Sequence, residues 1–588
     1  MSSISSWLCS LPVALAMGGP CLAAAAPATE RTERTTALGV VIGSDDSAIN
    51  GTLAWKGVPF AQAPVGALRW RAPLDPSPWS KPRPAQQFAP ACAATGRLDG
   101  PGLNNRYDET IATSLNQTVG SEDCLSLNIW RPAATAGEKE KPLPVIVFVH
   151  GGSNVSGYAA DPLYDGAALA RTARAVVVTV NYRLGVFGFF RSPHLHSSDA
   201  AEDSGNFALL DIIKSLQFVQ RHVAAFGGDA ANVTLMGESA GAVNVYALLT
   251  SPLMLKAQPA LVHRVLAMSG GISRAEDLPP QAVPVLLEAG RYEDQAERLL
   301  TESLIKDGLA HDATTAQAWI VEHEARNKAA EITAYLRGKS ADALLSLVLT
   351  KLAPANRSMS GPIPDGLVMS KDPIGAIKAS RYLKVPVLVG NTRDETKLFA
   401  GLLALSPALG GVSGRLPGEA ELFAIAAHYQ PDAAPQTRIE QWIPASYLPV
   451  NAPGTGYNAR LRLLNDYWFG PLRDSVLNAL KTQQSNVWHY TFAWDQEPAP
   501  FNEVFGASHA FDLFFTFGNF GPSVLSRLLF SHANEPGRLA LSDAMMRSIG
   551  AFARSGDPND AALGVNWPAW PRSLVFDASL SAKRISVQ

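Results

Sequence analysis

The chain has 588 residues, 47% of them hydrophobic and 17% charged, so there is ample material for a large buried core and intrinsic disorder is excluded. Its 49 basic residues against 52 acidic ones leave a net charge of −3, which argues against nucleic acid or an anionic membrane surface as the main partner. An enzyme or a large binding ectodomain remains.

Before the first charged residue, Glu30, the stretch from Ser5 to Ala26 is apolar or small and ends in Cys21-Leu22-Ala23-Ala24-Ala25-Ala26. It reads as a signal peptide over 1–26, which implies a secreted or periplasmic product of 27–588. No Lys or Arg opens it and Gly18-Gly19-Pro20 interrupts it, so a disordered Ala-rich leader is the alternative. No later segment reaches the ~18 apolar residues needed to span a bilayer, so no stable membrane insertion is expected. Removing the leader leaves Cys92 and Cys124, read as one disulfide in an exported chain. Closing a loop of about 33 residues would stabilise the fold by roughly 3–4 kcal/mol. Two unpaired buried thiols are the alternative if the leader reading fails.

Further along, Thr52-Leu53-Ala54-Trp55 and the run 126–130 predict antiparallel edge strands. Four β-branched runs follow: 145–149 stops at His150-Gly151-Gly152, 175–180 at Asn181, 233–236 at Gly237 and 385–389 at Gly390. Near-continuous apolar strands of this kind belong to a parallel sheet covered on both faces. Residues 208–224 and 240–249 read as helices between them, giving an α/β, doubly wound pattern. Two stretches, 284–349 and 419–480, break the alternation and read as helical insertions over the carboxyl ends of the strands, or as ordinary structural helices. No linker separates them, so 27–588 is read as a single catalytic domain.

Gly237-Glu238-Ser239-Ala240-Gly241 lies between an apolar strand and a helix rich in small residues, the context a nucleophile elbow requires. The five-residue pattern alone is weak; the strand and helix around it give it weight. A serine hydroxyl needs a base, an acid to hold that base, and donors for the oxyanion. The turn His150-Gly151-Gly152-Ser153 suits the last task, and Gly152, Ser153 and Ala240 are the candidate backbone donors, each worth about 3–4 kcal/mol in the transition state. Of eleven histidines, His489 reads as a packed strand residue and His150 as part of the oxyanion turn. His194 and His196 have a His-x-His spacing, but no nearby carboxylate or cysteine cluster supports a metal, and none is assigned. His509 lies in a loop beyond a late strand, where the chain order Ser, acid, His would put the base.

With these residues the chain resembles the type-B carboxylesterases, the cholinesterase and carboxylesterase branch of the α/β-hydrolases, from about Gly39 to the C-terminus. Gly57-Val58-Pro59-Phe60-Ala61 is similar to the family's N-terminal signature, and Glu122-Asp123-Cys124-Leu125-Ser126-Leu127-Asn128 to its EDCLxLN signature, whose cysteine is disulfide-bonded in the family. Asn181-Tyr182-Arg183-Leu184-Gly185 and Phe226-Gly227-Gly228-Asp229 add to the resemblance. By the motif Gly390-Asn391-Thr392-Arg393-Asp394-Glu395 it implies Glu395 as the acid, with Asp394 the neighbouring alternative, and His509 as the base. Ser153, Thr396 and Ala510 depart from the pattern, where glycine (or alanine, for Ser153) is frequent; none removes a catalytic group.

The resemblance implies an α/β-hydrolase fold, with a large, mostly parallel sheet and helical insertions over the site. It also implies ester hydrolysis through Ser239, His509 and Glu395 by way of an acyl-enzyme, with no cofactor. In cholinesterases the first disulfide loop supplies a tryptophan for the quaternary ammonium. Residues 93–123 here hold no Trp or Phe and only Tyr107, which argues against choline esters and for a neutral small-molecule carboxylic ester. Phe399, Trp468, Phe469, Phe511 and Phe514 are candidate pocket walls or plain core. Two alternatives stay open: the same triad turned to amides, lactones or acyl transfer, and a non-catalytic adhesion module on this fold. The oligomeric state is left open.

Overall fold

A strand that is apolar at every position must be covered on both faces, because successive side chains point to opposite sides of a sheet. The strand Leu143–Val149 meets that condition. In the computed structural model its Val145, Val147 and Val149 enter one apolar cluster, while Ile146 and Phe148 enter another across the sheet, all of them fully buried. At about 1.5–3 kcal/mol for each such side chain, burial accounts for why this run lies at the centre. The structure describes residues 32–588 except 135–140, 198, 327–328, 406–417, 522 and 524; the leader expected over 1–26 lies outside the described residues.

The main sheet has 11 strands. In chain order these are β1 (Ser44–Asp46), β2 (Thr52–Pro59), β3 (Ser126–Pro132), β4 (Leu143–Val149), β5 (Val176–Val180), β6 (Gly228–Glu238), β7 (Arg264–Met268), β8 (Val387–Thr392), β9 (Val487–Phe492), β10 (Leu574–Ala578) and β11 (Lys583–Val587). Their spatial order is β1-β2-β3-β5-β4-β6-β7-β8-β9-β10-β11. Pairing is parallel from β5 through β10 and antiparallel at both margins. The chain runs from β4 outward to β5, then returns to lay β6 on the other side of β4. The order of strands reverses there, and in open α/β sheets ligands bind in the crevice beyond the carboxyl ends at such a point.

Helix α1 (Phe207–His222) and helix α2 (Ala240–Leu249) follow the expected boundaries closely. Strand β7 and the C-terminal pair β10 and β11 are additions that sequence patterning did not supply. Strand β9 carries His489, in agreement with its reading as a strand residue. The first insertion forms α3 (Ala289–Lys306), α4 (Ala313–Ala325), α5 (Ala329–Arg337) and α6 (Ala341–Leu347). Leu299, Leu300, Leu336 and Leu344 make a third apolar cluster with Trp70 and Phe190 of the main body. The second insertion includes α7 (Glu419–His428), α8 (Tyr457–Tyr467) and α9 (Phe469–Lys481). Cys92 and Cys124 are joined as a disulfide, their Cα atoms 4.9 Å apart. Among the described residues no helix is long and apolar enough to cross a membrane.

Candidate active site

Strand β6 ends at Glu238 and α2 begins at Ala240, which leaves Ser239 alone on the turn at φ 54° and ψ −124°. That is a strained conformation for a residue with a Cβ, and strain of this kind is kept where surroundings over-determine it. The Ser239 N–H donates to the carbonyl of Met268 on β7 at 2.9 Å. Strand and helix cross so closely that a Cβ on Gly237 would lie 2.6 Å from the Gly241 backbone, and one on Gly241 would lie 2.1 Å from the Val149 carbonyl oxygen. Glycine at both positions is therefore a steric requirement of the elbow.

The turn after β4 packs against this serine. A Cβ placed on Gly151 would come within 3.0 Å of Ser239 Cβ. Gly152 and Ser153 follow with φ of 96° and 54°, so their N–H groups belong to a tight concave turn beside the elbow. Ala240 opens α2, where backbone N–H groups have no intrahelical partner. His150 lies beneath the turn, stacked on Tyr182 at 4.5 Å with Nδ1 2.9 Å from the Gly151 carbonyl. Burial holds its pKa down at about 4, which keeps it neutral.

Across the crevice, β8 delivers Glu395 and the loop after β9 delivers His509. Glu395 is 1% exposed; its Oε1 accepts from Asn391 Nδ2 at 3.0 Å and from the Thr392 N–H at 2.9 Å, and Oε2 lies 2.6 Å from His509 Nδ1. Burial opposes its charge, but His509 and these hydrogen bonds outweigh that, and its pKa stays below the ordinary carboxylate value. Asp394 is engaged elsewhere: its Oδ2 accepts from Arg393 Nη2 at 2.6 Å and from the Ala507 N–H at 3.1 Å, bracing the loop that carries His509. Ala510, directly after the histidine, holds φ 67°, a left-handed conformation that explains why glycine is frequent there in the family pattern.

The second ring nitrogen, His509 Nε2, is buried without a hydrogen-bond partner among the described residues and lies 3.2 Å from Glu238 Oε1. Burial pushes the Glu238 carboxyl well up, against the opposing pull of His509. Burial also disfavours charge on His509, yet the Glu238 and Glu395 carboxylates outweigh it and hold the imidazole more basic than a free histidine. The two groups compete for one proton. Where that proton sits on Glu238, its attraction for the ring vanishes and a neutral imidazole results. Asp512 adds a further buried carboxyl, its Oδ2 accepting from the Tyr490 hydroxyl at 2.8 Å, with burial lifting its pKa to about 6.

Of the five aromatic candidates, two flank His509 and a third packs on those two. Phe399 and Phe469 lie 5.0 and 5.1 Å from the His509 ring, and Trp468 packs on both of them at 5.1 and 4.6 Å. Phe511 and Phe514 instead belong to the core beneath the sheet. His489 is buried within β9, with Nδ1 2.7 Å from Ser573 Oγ. His194 and His196 lie in a separate loop, 3.6 Å from Glu324 and 3.2 Å from Asp203. Sequence reasoning passed over Glu238 and Asp512. Glu238 sits inside the elbow motif and Asp512 three residues after His509, and no linear pattern tells which way a carboxylate turns.

The arrangement is a serine at a strained elbow, a backbone turn against it, and a buried carboxylate-imidazole pair, all at the reversal point of the sheet. The sequence pattern of the carboxylesterase family matches residues 30–581. The chain is 30% identical over 555 residues to the para-nitrobenzyl esterase of Bacillus subtilis (strain 168), covering 93% of this chain and 95% of that one. It is 31% identical to the fumonisin B1 esterase of Sphingopyxis macrogoltabida over 88% of this chain and 81% of the other. Among solved structures, a PNB esterase superposes with a TM-score of 0.67 at 26% identity, covering 95% of this chain and 97% of that one. The Geobacillus stearothermophilus carboxylesterase EST55 gives 0.65 at 29% identity, covering 95% and 98%. The chain belongs to the type-B carboxylesterase family and is a carboxylesterase-type hydrolase that acts on small-molecule esters.

Proposed function

We propose that the protein hydrolyses neutral carboxylic esters by double displacement at Ser239. His509 takes the hydroxyl proton as Ser239 attacks the ester carbonyl, and Glu395 holds the imidazole and stabilises its cation. The oxyanion of the tetrahedral intermediate is met by the N–H groups of Gly152, Ser153 and Ala240. Collapse expels the alcohol, protonated by His509, and leaves an acyl group on Ser239. Water then attacks that acyl group with His509 again as base, releasing the acid and restoring the serine. The reading is carried by one observation above all: the 2.6 Å approach of Glu395 Oε2 to His509 Nδ1, across from a serine held at φ 54°. No step calls for a cofactor.

The apolar part of the ester would rest on Phe399 and Phe469 beside His509, with Trp468 packed on both, a wall that suits an aromatic or alkyl group. In this reading 27–588 form one catalytic domain, with the insertion that carries Trp468 and Phe469 at the site, and the chain is exported after loss of 1–26. The disulfide supports an oxidising compartment.

The test is hydrolysis of p-nitrophenyl esters from acetate to palmitate by the wild type and by Ser239→Ala. Ser239→Ala should lose about 10⁴-fold or more in kcat. A variant that keeps wild-type turnover would overturn the mechanism.

A further inference from the structure

Three consecutive residues of the turn after β4 sit at positive φ: Gly152 at 96°, Ser153 at 54° and Asn154 at 58°. Glycine adopts that region freely, whereas serine and asparagine are penalised there, so the turn needs outside restraint. The structure supplies it at each residue. Asn154 Oδ1 accepts from Asn244 Nδ2 at 2.8 Å, and its carbonyl accepts from the Gly185 N–H at 2.6 Å. The Ser153 carbonyl accepts from Ser360 Oγ at 2.9 Å. Gly152 is backed by Ser156: a Cβ on Gly152 would fall 2.5 Å from the Ser156 carbonyl oxygen and 2.9 Å from its Oγ.

What holds Ser156 is therefore what holds Gly152. Ser156 Oγ lies 2.8 Å from Asp99 Oδ2 and 3.1 Å from the Gly152 carbonyl oxygen. That carbonyl already accepts the N–H groups of Val155 and Ser156 at 2.9 and 3.0 Å. A hydroxyl has one hydrogen to give, and the shorter, charge-assisted acceptor is the Asp99 carboxylate. Ser156 is buried, whereas Asp99 is exposed on the segment closed by the Cys92–Cys124 disulfide.

We propose that Asp99 is a positioning residue for the oxyanion turn: through Ser156 it fixes the Gly152–Ser153 backbone in the orientation that presents its N–H groups to the developing oxyanion. The inference rests on the reading of Gly152 and Ser153 as oxyanion donors. The disulfide-closed segment thereby sets the turn from outside the crevice. The charge of Asp99 is not the useful part, since a carboxylate near the site opposes a developing oxyanion. Its charge is already felt there, being one of the lesser causes that raise the pKa of Glu238, after burial. The useful part is the hydrogen bond, and the two properties are separable: asparagine drops the charge but retains one acceptor oxygen, which a turn of the amide brings to the place of Oδ2, while alanine removes both.

The experiment measures kcat and KM for p-nitrophenyl butyrate, and Ki for an alkyl trifluoromethyl ketone that adds to Ser239 as a tetrahedral adduct. The proteins are wild type, Asp99→Ala, Asp99→Asn, Ser156→Ala, the Asp99→Ala/Ser156→Ala double variant and Ser239→Ala. Loss of one oxyanion donor outright costs about 10²–10³-fold in kcat, so a misaligned turn should cost about 10–100-fold. Asp99→Ala should show that loss with KM within about twofold of wild type, and the ketone should bind more weakly by the same factor, because only transition-state contacts are weakened. Ser156→Ala should match it, the double variant should be no worse than either, and Asp99→Asn should recover most of the rate. Wild-type kcat in Asp99→Ala, losses that multiply in the double variant, or an Asp99→Asn as impaired as Asp99→Ala would each overturn the proposal. An active Ser239→Ala would instead overturn the catalytic reading on which it rests.

Discussion

At the scale of single residues, the site is defined by carboxyl groups that the protein treats differently. Glu395 is kept ionised by His509, the Asn391 amide and the Thr392 N–H, while Glu238 is pushed towards its neutral form by burial, although both flank the same imidazole. The contrast has a measurable consequence. An anionic Glu238, 3.2 Å from Nε2, favours the protonated ring, so it raises the pH at which His509 becomes free to act as a base. Glu238→Gln removes that charge. The acid limb of the kcat/KM profile, which reports the free enzyme, should move to lower pH by about one unit. An acid limb that stays in place, or moves to higher pH, would mean that Glu238 does not control the base. The sequence showed Glu238 only as part of the elbow motif. Its orientation depends on where β9 and the following loop deliver His509, more than 270 residues later.

At the scale of elements, the groups proposed for catalysis follow the ends of strands that meet where the sheet order reverses: β4 leads into the proposed oxyanion turn, β6 into Ser239, β8 into Glu395 and β9 into the loop with His509. The β-branched runs that became β4, β5 and β6 were legible because strands buried on both faces need no polar interruptions. Strand β7, Arg-Val-Leu-Ala-Met, has a single β-branched residue and leads straight into Ser-Gly-Gly, so nothing in its pattern separates it from a helix end. The C-terminal strand β11 alternates between exposed and half-buried residues, as an edge strand does, and gives little signal either. The disulfide, inferred from the pair of cysteines left in an exported chain, closes the segment that carries Asp99. In the protein lacking 1–26, Cys92→Ser/Cys124→Ser should unfold with about 3–4 kcal/mol less free energy, read from the urea midpoint together with the m-value. Equal midpoints, or two titratable thiols in denatured, non-reduced wild type, would contradict a stabilising bond.

At the scale of the whole molecule, length and composition admitted either an enzyme or an ectodomain, and the motifs narrowed this to one family, whose pattern matches residues 30–581. What stayed out of reach of the sequence was the third dimension of the insertions. Aromatic residues at 399, 468, 469, 511 and 514 look alike in a linear pattern, yet the fold sends Phe399 and Phe469 to His509, packs Trp468 on both, and sends Phe511 and Phe514 to the core. The central claim concerns one atom, Ser239 Oγ, acting as the nucleophile. The direct measurement is reaction of the wild-type protein with a fluorophosphonate, followed by mass spectrometry of its peptides. A single phosphonyl group on Ser239, formed in step with complete loss of esterase activity, is the predicted result. Full activity in unlabelled protein after prolonged exposure, or inactivation with the group on another residue, would contradict it.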